Sequence, residues 1–409
     1  MFTQLEKAFI QANLTADVGT LLLRGQSAEL PIKKLAAQIV ARQKAREKLP
    51  TWYANPDLMF PPALSVEQAS SEQTAQYKAS LVNGHLLIDL TGGMGVDTVA
   101  FSQRMEQVVY VERQSELAEL AAHNLPLLGA KPVRIVPGDG MTFLDNESAW
   151  KQLTGAPDAI VDWLYLDPHR RNEQGGKVVL LTDCEPDLTH PDTISKLLNR
   201  SRKILLKTSP LLDIDSTVRQ LAGAVESVHI VAVQGEVKEI LFTLVNQTVM
   251  QESIKFNAVN LTNSGPIILS FQRHEERTAE VVFGDPQQYV YEPNATILKA
   301  GAFRLVADRF GLKKLAPNSH LYTSSMLQRE FPGRIFELQN LIKPDAKALK
   351  TILPDLKANL TVRNFPQTVA ELRKKLNLRE GGNAYILATT LLNGDKRLLV
   401  TRKVDPLSV

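Results

Sequence analysis

The chain has 409 residues, 44% hydrophobic and 22% charged, which suits two or three domains with real cores and excludes a disordered chain. No apolar run reaches the roughly 20 residues of a membrane span, residues 1–10 lack the unbroken apolar segment of a secretory leader, and a single cysteine, Cys184, excludes an internal disulfide, so a cytoplasmic setting is expected. The net charge of +3 conceals a split: from Lys299 onward 20 Lys/Arg face 9 Asp/Glu, giving +11, while the remaining 27 face 35, giving −8.

Residues 1–80 read as helical. Leu35, Ile39 and Val40 recur at helical spacing, flanked by Lys33, Lys34, Arg42, Lys44 and Arg46. Pro61-Pro62 breaks the pattern, which resumes from Ser65 to Leu81 with Ser70 or Ser71 as a local cap. From Leu86 short apolar runs alternate with helical stretches: 86–90, 108–111, 133–136, 160–166, 204–206, 228–233 and 240–245. The first five are spaced for crossover helices and predict a mostly parallel sheet covered on both faces. The last two are separated only by residues 234–239, too few for a crossover, so they pair antiparallel. The expected fold is α/β: a seven-stranded, doubly wound, Rossmann-like sheet with the layout of class I methyltransferases, since a dehydrogenase half-sheet lacks the final hairpin. Residues 246–263 are polar and turn-prone, which places a boundary at 250–275. Further strands are expected at 267–271, 281–283, 360–362, 384–389 and 398–401, and helices at 299–310 and 369–376. The chain then divides into a helical N-terminal region (1–80), a methyltransferase-like domain (81–250), a small ferredoxin-like α+β linker domain (251–320) and a small basic α+β module (321–409).

The run Asp89-Leu90-Thr91-Gly92-Gly93-Met94-Gly95 follows the first strand. A helix N-terminus there offers free N–H groups, and glycines let a ligand approach the backbone. The spacing breaks the dinucleotide pattern, because Thr98 stands at its last glycine position. It fits the form in which an acid precedes glycines spaced by two, with Thr91 where the first glycine is usual. Glu112 ends the second strand, where a carboxylate can accept ribose hydroxyls, and Asp139-Gly140 ends the third, where an adenine would lie. Asp89 separates the two cofactor classes: a carboxylate in the loop repels a pyrophosphate and attracts the ammonium of S-adenosyl-L-methionine. Each feature alone is commonly a plain turn or an exposed carboxylate; their order at successive strand ends carries the inference.

Leu166-Asp167-Pro168-His169-Arg170-Arg171 ends the fourth strand. Methyl transfer to nitrogen needs a lone pair aimed in line more than it needs a strong base. Asp167 beside Pro168 can accept amine hydrogens, His169 can stack or move a proton, and Arg170 and Arg171 can hold a phosphate or carboxylate. The structural alternatives are a helix cap for Asp167 and a solvated loop for the arginines. Lys207, at the end of the fifth strand, is a phosphate-contact candidate or a snorkelling lysine.

The stretches Asp89 to Asp97 and Leu166 to Arg171 resemble bacterial class I methyltransferases that carry a THUMP-like C-terminal domain. The resemblance covers most of the chain, including residues 67–75 and 359–402, and Ser65 to Gly95 also resembles trimethylguanosine synthases, where such a helix helps close the cofactor site. It implies S-adenosyl-L-methionine as cofactor, with Asp97 among the residues that hold it, and an RNA or nucleotide amine as substrate. THUMP-type domains bind RNA, which agrees with the basic C-terminal third. The chain departs from the common amino-methyltransferase motif: Pro168 is followed by His169 and Arg170, not by a second proline and an aromatic. In the C-terminal module Arg373, Lys374 and Lys375, followed by Gly381-Gly382, are candidate RNA contacts, or else a solvated helix face with a glycine cap. Phe365 and Tyr385 read as core more readily than as stacking residues. Two other functions compete: a nucleic-acid-binding protein without catalysis, and a methyltransferase acting on a protein or small molecule. Nothing in the sequence sets the oligomeric state.

Overall fold

The computed structural model describes residues 2–23, 30–130, 132–170, 180–221 and 223–404. These form two compact units, residues 1–228 with 239–249, and residues 229–238 with 250–409.

The first unit opens with helices α1 (Gln4–Ala12), α2 (Val18–Leu23), α3 (Ile32–Lys48), α4 (Pro50–Ala54), α5 (Ala63–Gln68) and α6 (Glu72–Ser80). Helix α3 buries Leu35 and Ile39 as its spacing predicts. Arg42, one of the flanking basic residues, is buried and donates to the carbonyls of Asn55, Pro56 and Leu58 at 3.1, 3.1 and 2.7 Å. Ser71 caps α6. Trp52, Leu58, Phe60 and Val66 share one buried cluster with Met94 and Val96, so these helices pack directly on the glycine loop.

Strands and helices then alternate: β1 (Leu86–Asp89), α7 (Val96–Ser102), β2 (Gln107–Glu112), α8 (Ser115–Leu127), β3 (Val133–Pro137), α9 (Gly140–Asp145), α10 (Glu147–Thr154), β4 (Val161–Leu166), the short pair β5 (His169–Arg170) and β6 (Cys184–Glu185), α11 (Pro191–Arg200), β7 (Ser201–Thr208), α12 (Ile214–Gln220), β8 (Val225–Val233) and β9 (Glu236–Val245). The strand order is β3-β2-β1-β4-β7-β9-β8. The pairs among β1, β2, β3, β4 and β7 are parallel, and β9 runs antiparallel to β7. The doubly wound sheet expected from the run spacing is therefore present. The final hairpin turns through Gln234 and Gly235 at φ +51° and +84°, the two positive values a tight hairpin turn requires. Residues 236–239, expected in the loop, belong to β9.

In the second unit β10 (Lys255–Thr262) neighbours β8 and β11 (Gly265–Gln272) neighbours β10, so the sheet has nine strands where seven were expected. The expected turn-prone boundary over 246–263 thus contains a strand, buried on both faces from Phe256 to Asn260, whose apolar character Asn257 and Asn260 concealed. Next come α13 (Arg273–Thr278), β12 (Tyr289–Pro293), α14 (Ala295–Ala300), α15 (Leu305–Arg309), β13 (Lys313–Lys314), β14 (Tyr322–Ser324), β15 (Gly333–Ile342), α16 (Ala346–Ile352), β16 (Lys357–Arg363), α17 (Val369–Leu376), β17 (Arg379–Thr390) and β18 (Lys396–Lys403). Their seven-stranded sheet runs β13-β14-β12-β15-β18-β17-β16. The expected strand at 281–283 reduces to one bridge, Phe283 to Lys314, and the single helix expected over 299–310 is broken after Ala300, where Gly301 takes φ +72°. Helix α17 ends on Asn377 at φ +52°, not on the glycine pair. Gly381 and Gly382 form a bulge in β17, between the pairs Lys357–Arg379 and Ala358–Ala384. Phe365 and Tyr385 are half-buried and pack against core clusters.

Candidate active site

Parallel pairing fixes which residues meet at the carboxyl edge of the first sheet. Asp89 lies opposite Tyr110 and Tyr165, Glu112 opposite Pro137, and Leu166 opposite Leu206. The residues after each strand therefore gather at one edge, the place where doubly wound sheets take their ligands.

The glycine loop is held from below. Gly92 donates to the Val111 carbonyl at 2.9 Å, and a Cβ on Gly92 would lie 2.2 Å from the Tyr110 ring, so only glycine fits. Tyr110 donates its hydroxyl to the Gly93 carbonyl at 2.6 Å. Gly93 and Gly95 adopt φ +54° and +87° and turn the chain into α7. Gly140 starts α9 so close to the loop that a Cβ would lie 2.5 Å from the Leu90 carbonyl.

Five carboxylates surround this turn. Asp89 is 1% exposed and accepts from the Thr91 N–H at 3.0 Å and the Thr98 hydroxyl at 2.6 Å. Glu112 accepts from the N–H groups of Gly93 at 2.7 Å and Gln114 at 2.8 Å, tying the second strand end to the loop. Asp139 caps α9 through Thr142. Asp97, in the first turn of α7, accepts from Tyr165 at 2.7 Å and Ser70 at 2.8 Å through Oδ2, while Oδ1 takes no hydrogen bond and stands 3.2 Å from Lys78 Nζ. Burial opposes the Asp97 charge, but the ammonium groups of Lys78 and Lys207 outweigh it and hold the carboxyl below its ordinary range. Asp167 receives Lys207 Nζ on Oδ2, and its N–H donates to Thr91 Oγ1 at 2.7 Å.

Sequence reading missed the framework behind these groups. Lys78 is fully buried and donates to both oxygens of Glu239 at 2.9 and 2.8 Å and to Ser70 Oγ at 2.9 Å. Its only signal was a place on the α6 face that also carries Thr74 and Ala75, both buried. Lys207, read as a phosphate contact, directs its ammonium to Asp167. Burial works against that charge, but Asp167, Asp97 and Glu239 prevail and raise its pKa. His169 is exposed, with Nε2 2.8 Å from Arg113 Nη2 and 3.4 Å from Glu185 Oε2. Arg170 ends β5, and Arg171 lies outside the described residues.

Burial raises the Asp89 pKa to about 7, against the lowering effect of its bonds from Thr98 and Thr91. The folded cofactor-free protein thus binds this proton more tightly than the unfolded chain, and the stability it confers is lost as pH rises through about 7. Asp89→Asn is expected to match wild type near pH 4. Above pH 7 it should be more stable by roughly 4 kcal/mol, the size of a three-unit shift. Melting both proteins without cofactor across this range checks the sign; a constant offset would show that Asp89 does not titrate there.

The donor set suits a cationic nucleoside. Buried carboxylates converge on a turn whose glycines leave the backbone open, one carboxylate oxygen of Asp97 lacks a hydrogen bond, and the loop residues 89–97 carry no lysine or arginine of the kind that holds a pyrophosphate. Among the described residues no group of three or more His, Cys, Asp or Glu could hold a metal ion, and no helix is long and apolar enough to cross a membrane. Strand order, antiparallel final hairpin and glycine loop together define a class I methyltransferase fold.

Comparisons with known proteins agree. A methyltransferase-family protein from Porphyromonas gingivalis W83, known from its crystal structure, is 35% identical, with 99% of this chain and 100% of that chain covered and a TM-score of 0.85. An uncharacterized S-adenosylmethionine-dependent methyltransferase of Mycobacterium tuberculosis is 23% identical over 332 residues, 80% of this chain and 83% of its own. Family models match residues 289–332 as a ferredoxin-like domain and residues 333–403 as THUMP domain-like. The chain belongs to this family of S-adenosylmethionine-dependent methyltransferases.

Proposed function

We propose that the enzyme methylates RNA, at an amine nitrogen of a base. The observation that carries this reading is the pairing of an acidic cofactor edge with a C-terminal third of net charge +11 that includes a THUMP domain-like segment. Asp89, Thr91, Gly92, Gly93, Gly95 and Asp97 hold the amino-acid end of the cofactor, Glu112 the ribose, and Asp139 with Gly140 the adenine side. Bound S-adenosylmethionine supplies the electrophilic methyl group. Asp167 and the carbonyls beside Pro168 accept the hydrogens of the base amine and aim its lone pair; the surplus proton leaves to solvent after transfer. His169 borders the acceptor. Arg373, Lys374 and Lys375 on α17 meet the phosphate backbone, and the exposed side chains of Lys374 and Lys375 support this.

Mass spectrometry of nucleosides from cells with and without the gene tests the reading: one methylated base should vanish and return on complementation with wild type but not with Asp167→Ala. An unchanged nucleoside profile, with label entering protein instead, would overturn it. Replacing Arg373, Lys374 and Lys375 together by alanine should weaken RNA binding and lower the slope of log affinity against log salt by up to about 0.7 for each lost phosphate contact on single-stranded RNA. Filter binding at several salt concentrations measures this, and an unchanged slope would remove these residues from the interface.

A further inference from the structure

Thr91 occupies the position where class I loops usually carry glycine, and the loop's conformation does not require its hydroxyl. That hydroxyl has another partner. The backbone ladder between β1 and β4 runs as far as the Leu90 N–H on the Tyr165 carbonyl at 3.0 Å. One step further, Thr91 Oγ1 accepts the Asp167 N–H at 2.7 Å, while the Thr91 N–H donates to Asp89 at 3.0 Å. A side chain thus adds a rung to the sheet beyond its regular end, and a glycine would leave the Asp167 N–H without this acceptor. From the opposite flank, Lys207 on β7 meets Asp167 Oδ2, and it lies in the field of Asp97 and Glu239 as well.

We propose that Thr91 and Lys207 are positioning residues for Asp167: Thr91 fixes the backbone of the Asp-Pro turn to the cofactor loop, and Lys207 fixes which carboxylate oxygen turns inward. The inference rests on the reading of Asp167 as the group that meets the acceptor. It gives the missing glycine a role in aligning the two halves of the reaction, because cofactor loop and acceptor turn then move as one piece. A misplacement of about 1 Å at such a centre costs on the order of a hundredfold in rate.

The test uses the full chain with Thr91→Ser, Thr91→Val, Thr91→Gly, Lys207→Met and Lys207→Arg. Three quantities are read: hydrogen exchange at the Asp167 amide, S-adenosylmethionine affinity by calorimetry, and kcat with KM for labelled methyl transfer into extract of cells lacking the gene, its RNA and protein fractions counted separately. Thr91→Val and Thr91→Gly should speed exchange at Asp167 and lower kcat by about 10- to 100-fold, a larger factor than any loss of cofactor affinity; Thr91→Ser should restore both. Lys207→Met should lower kcat without speeding that exchange, and Lys207→Arg should recover part of it. Unchanged exchange in Thr91→Gly, or a loss of cofactor affinity as large as the loss of kcat, overturns the proposal. Label in protein but not RNA defeats the RNA reading while the variant ratios still decide this one. An Asp167→Ala enzyme as fast as wild type defeats the role of Asp167 and with it the proposal, as does the absence of label in every fraction.

Discussion

Asp167→Ala should cut methyl transfer by about 10²- to 10⁴-fold while leaving S-adenosylmethionine affinity within a few-fold. The argument is one of access. The Asp167 side chain is 37% exposed, whereas Asp97 is 12%, Glu239 3% and Asp89 1% exposed. Of Asp167, Asp97, Glu239 and Asp89, only Asp167 is open to an incoming acceptor; the others are spent on Thr91, Thr98, Tyr165, Ser70 and Lys78. Lys207 keeps the carboxylate turned and compensates its charge, so Asp167→Asn should retain more activity than alanine by preserving one acceptor. Single-turnover transfer of labelled methyl, read beside calorimetric cofactor binding, separates chemistry from affinity. Equal rates for Asp167→Ala and wild type would move the acceptor site elsewhere on the edge.

Lys78→Met carries the largest expected effect on stability, a loss of about 3–5 kcal/mol. Lys78 is fully buried, and its ammonium serves Glu239, Asp97 and Ser70 at 2.8–3.2 Å. Methionine fills the space but removes the ammonium in contact with Glu239 and Asp97, leaving these buried carboxylates only the more distant charge of Lys207. A well-packed apolar replacement of both partners avoids that penalty, so Lys78→Met combined with Glu239→Leu should recover much of the loss. Denaturant unfolding of the two variants, followed by the same probe, decides it. If the single variant proves as stable as wild type, the carboxylates are compensated some other way.

Much of the first unit was legible because its signals are local. Runs of three to seven mostly apolar residues, separated by enough chain for a helix, fix parallel neighbours, and a gap of six residues, too short for a crossover, fixes an antiparallel pair. The glycine loop was readable for the same reason: Gly92, Gly93 and Gly95 answer to steric demands of their own turn. Less of the second unit could be read. Strand β10 intersperses Phe256, Ala258 and Val259 with Asn257 and Asn260, and all five are buried by β11 and a core assembled far along the chain. The bulge at Gly381-Gly382 imitated a helix cap, because a positive φ serves both devices.

The sequence by itself determined the parallel part of the sheet, the position of the glycine loop at its carboxyl edge, and the acids Asp89, Glu112, Asp139 and Asp167 at successive strand ends, since in a parallel sheet chain order dictates which ends align. Only the tertiary structure decided what each charge is for. Lys78 meets Glu239 across 161 residues, Lys207 meets Asp167 across 40, and the Thr91 hydroxyl reaches Asp167 across 76. The worth of a buried charge is set by the distance to its counter-charge and by the water it has lost, and neither quantity leaves a periodic trace in a sequence.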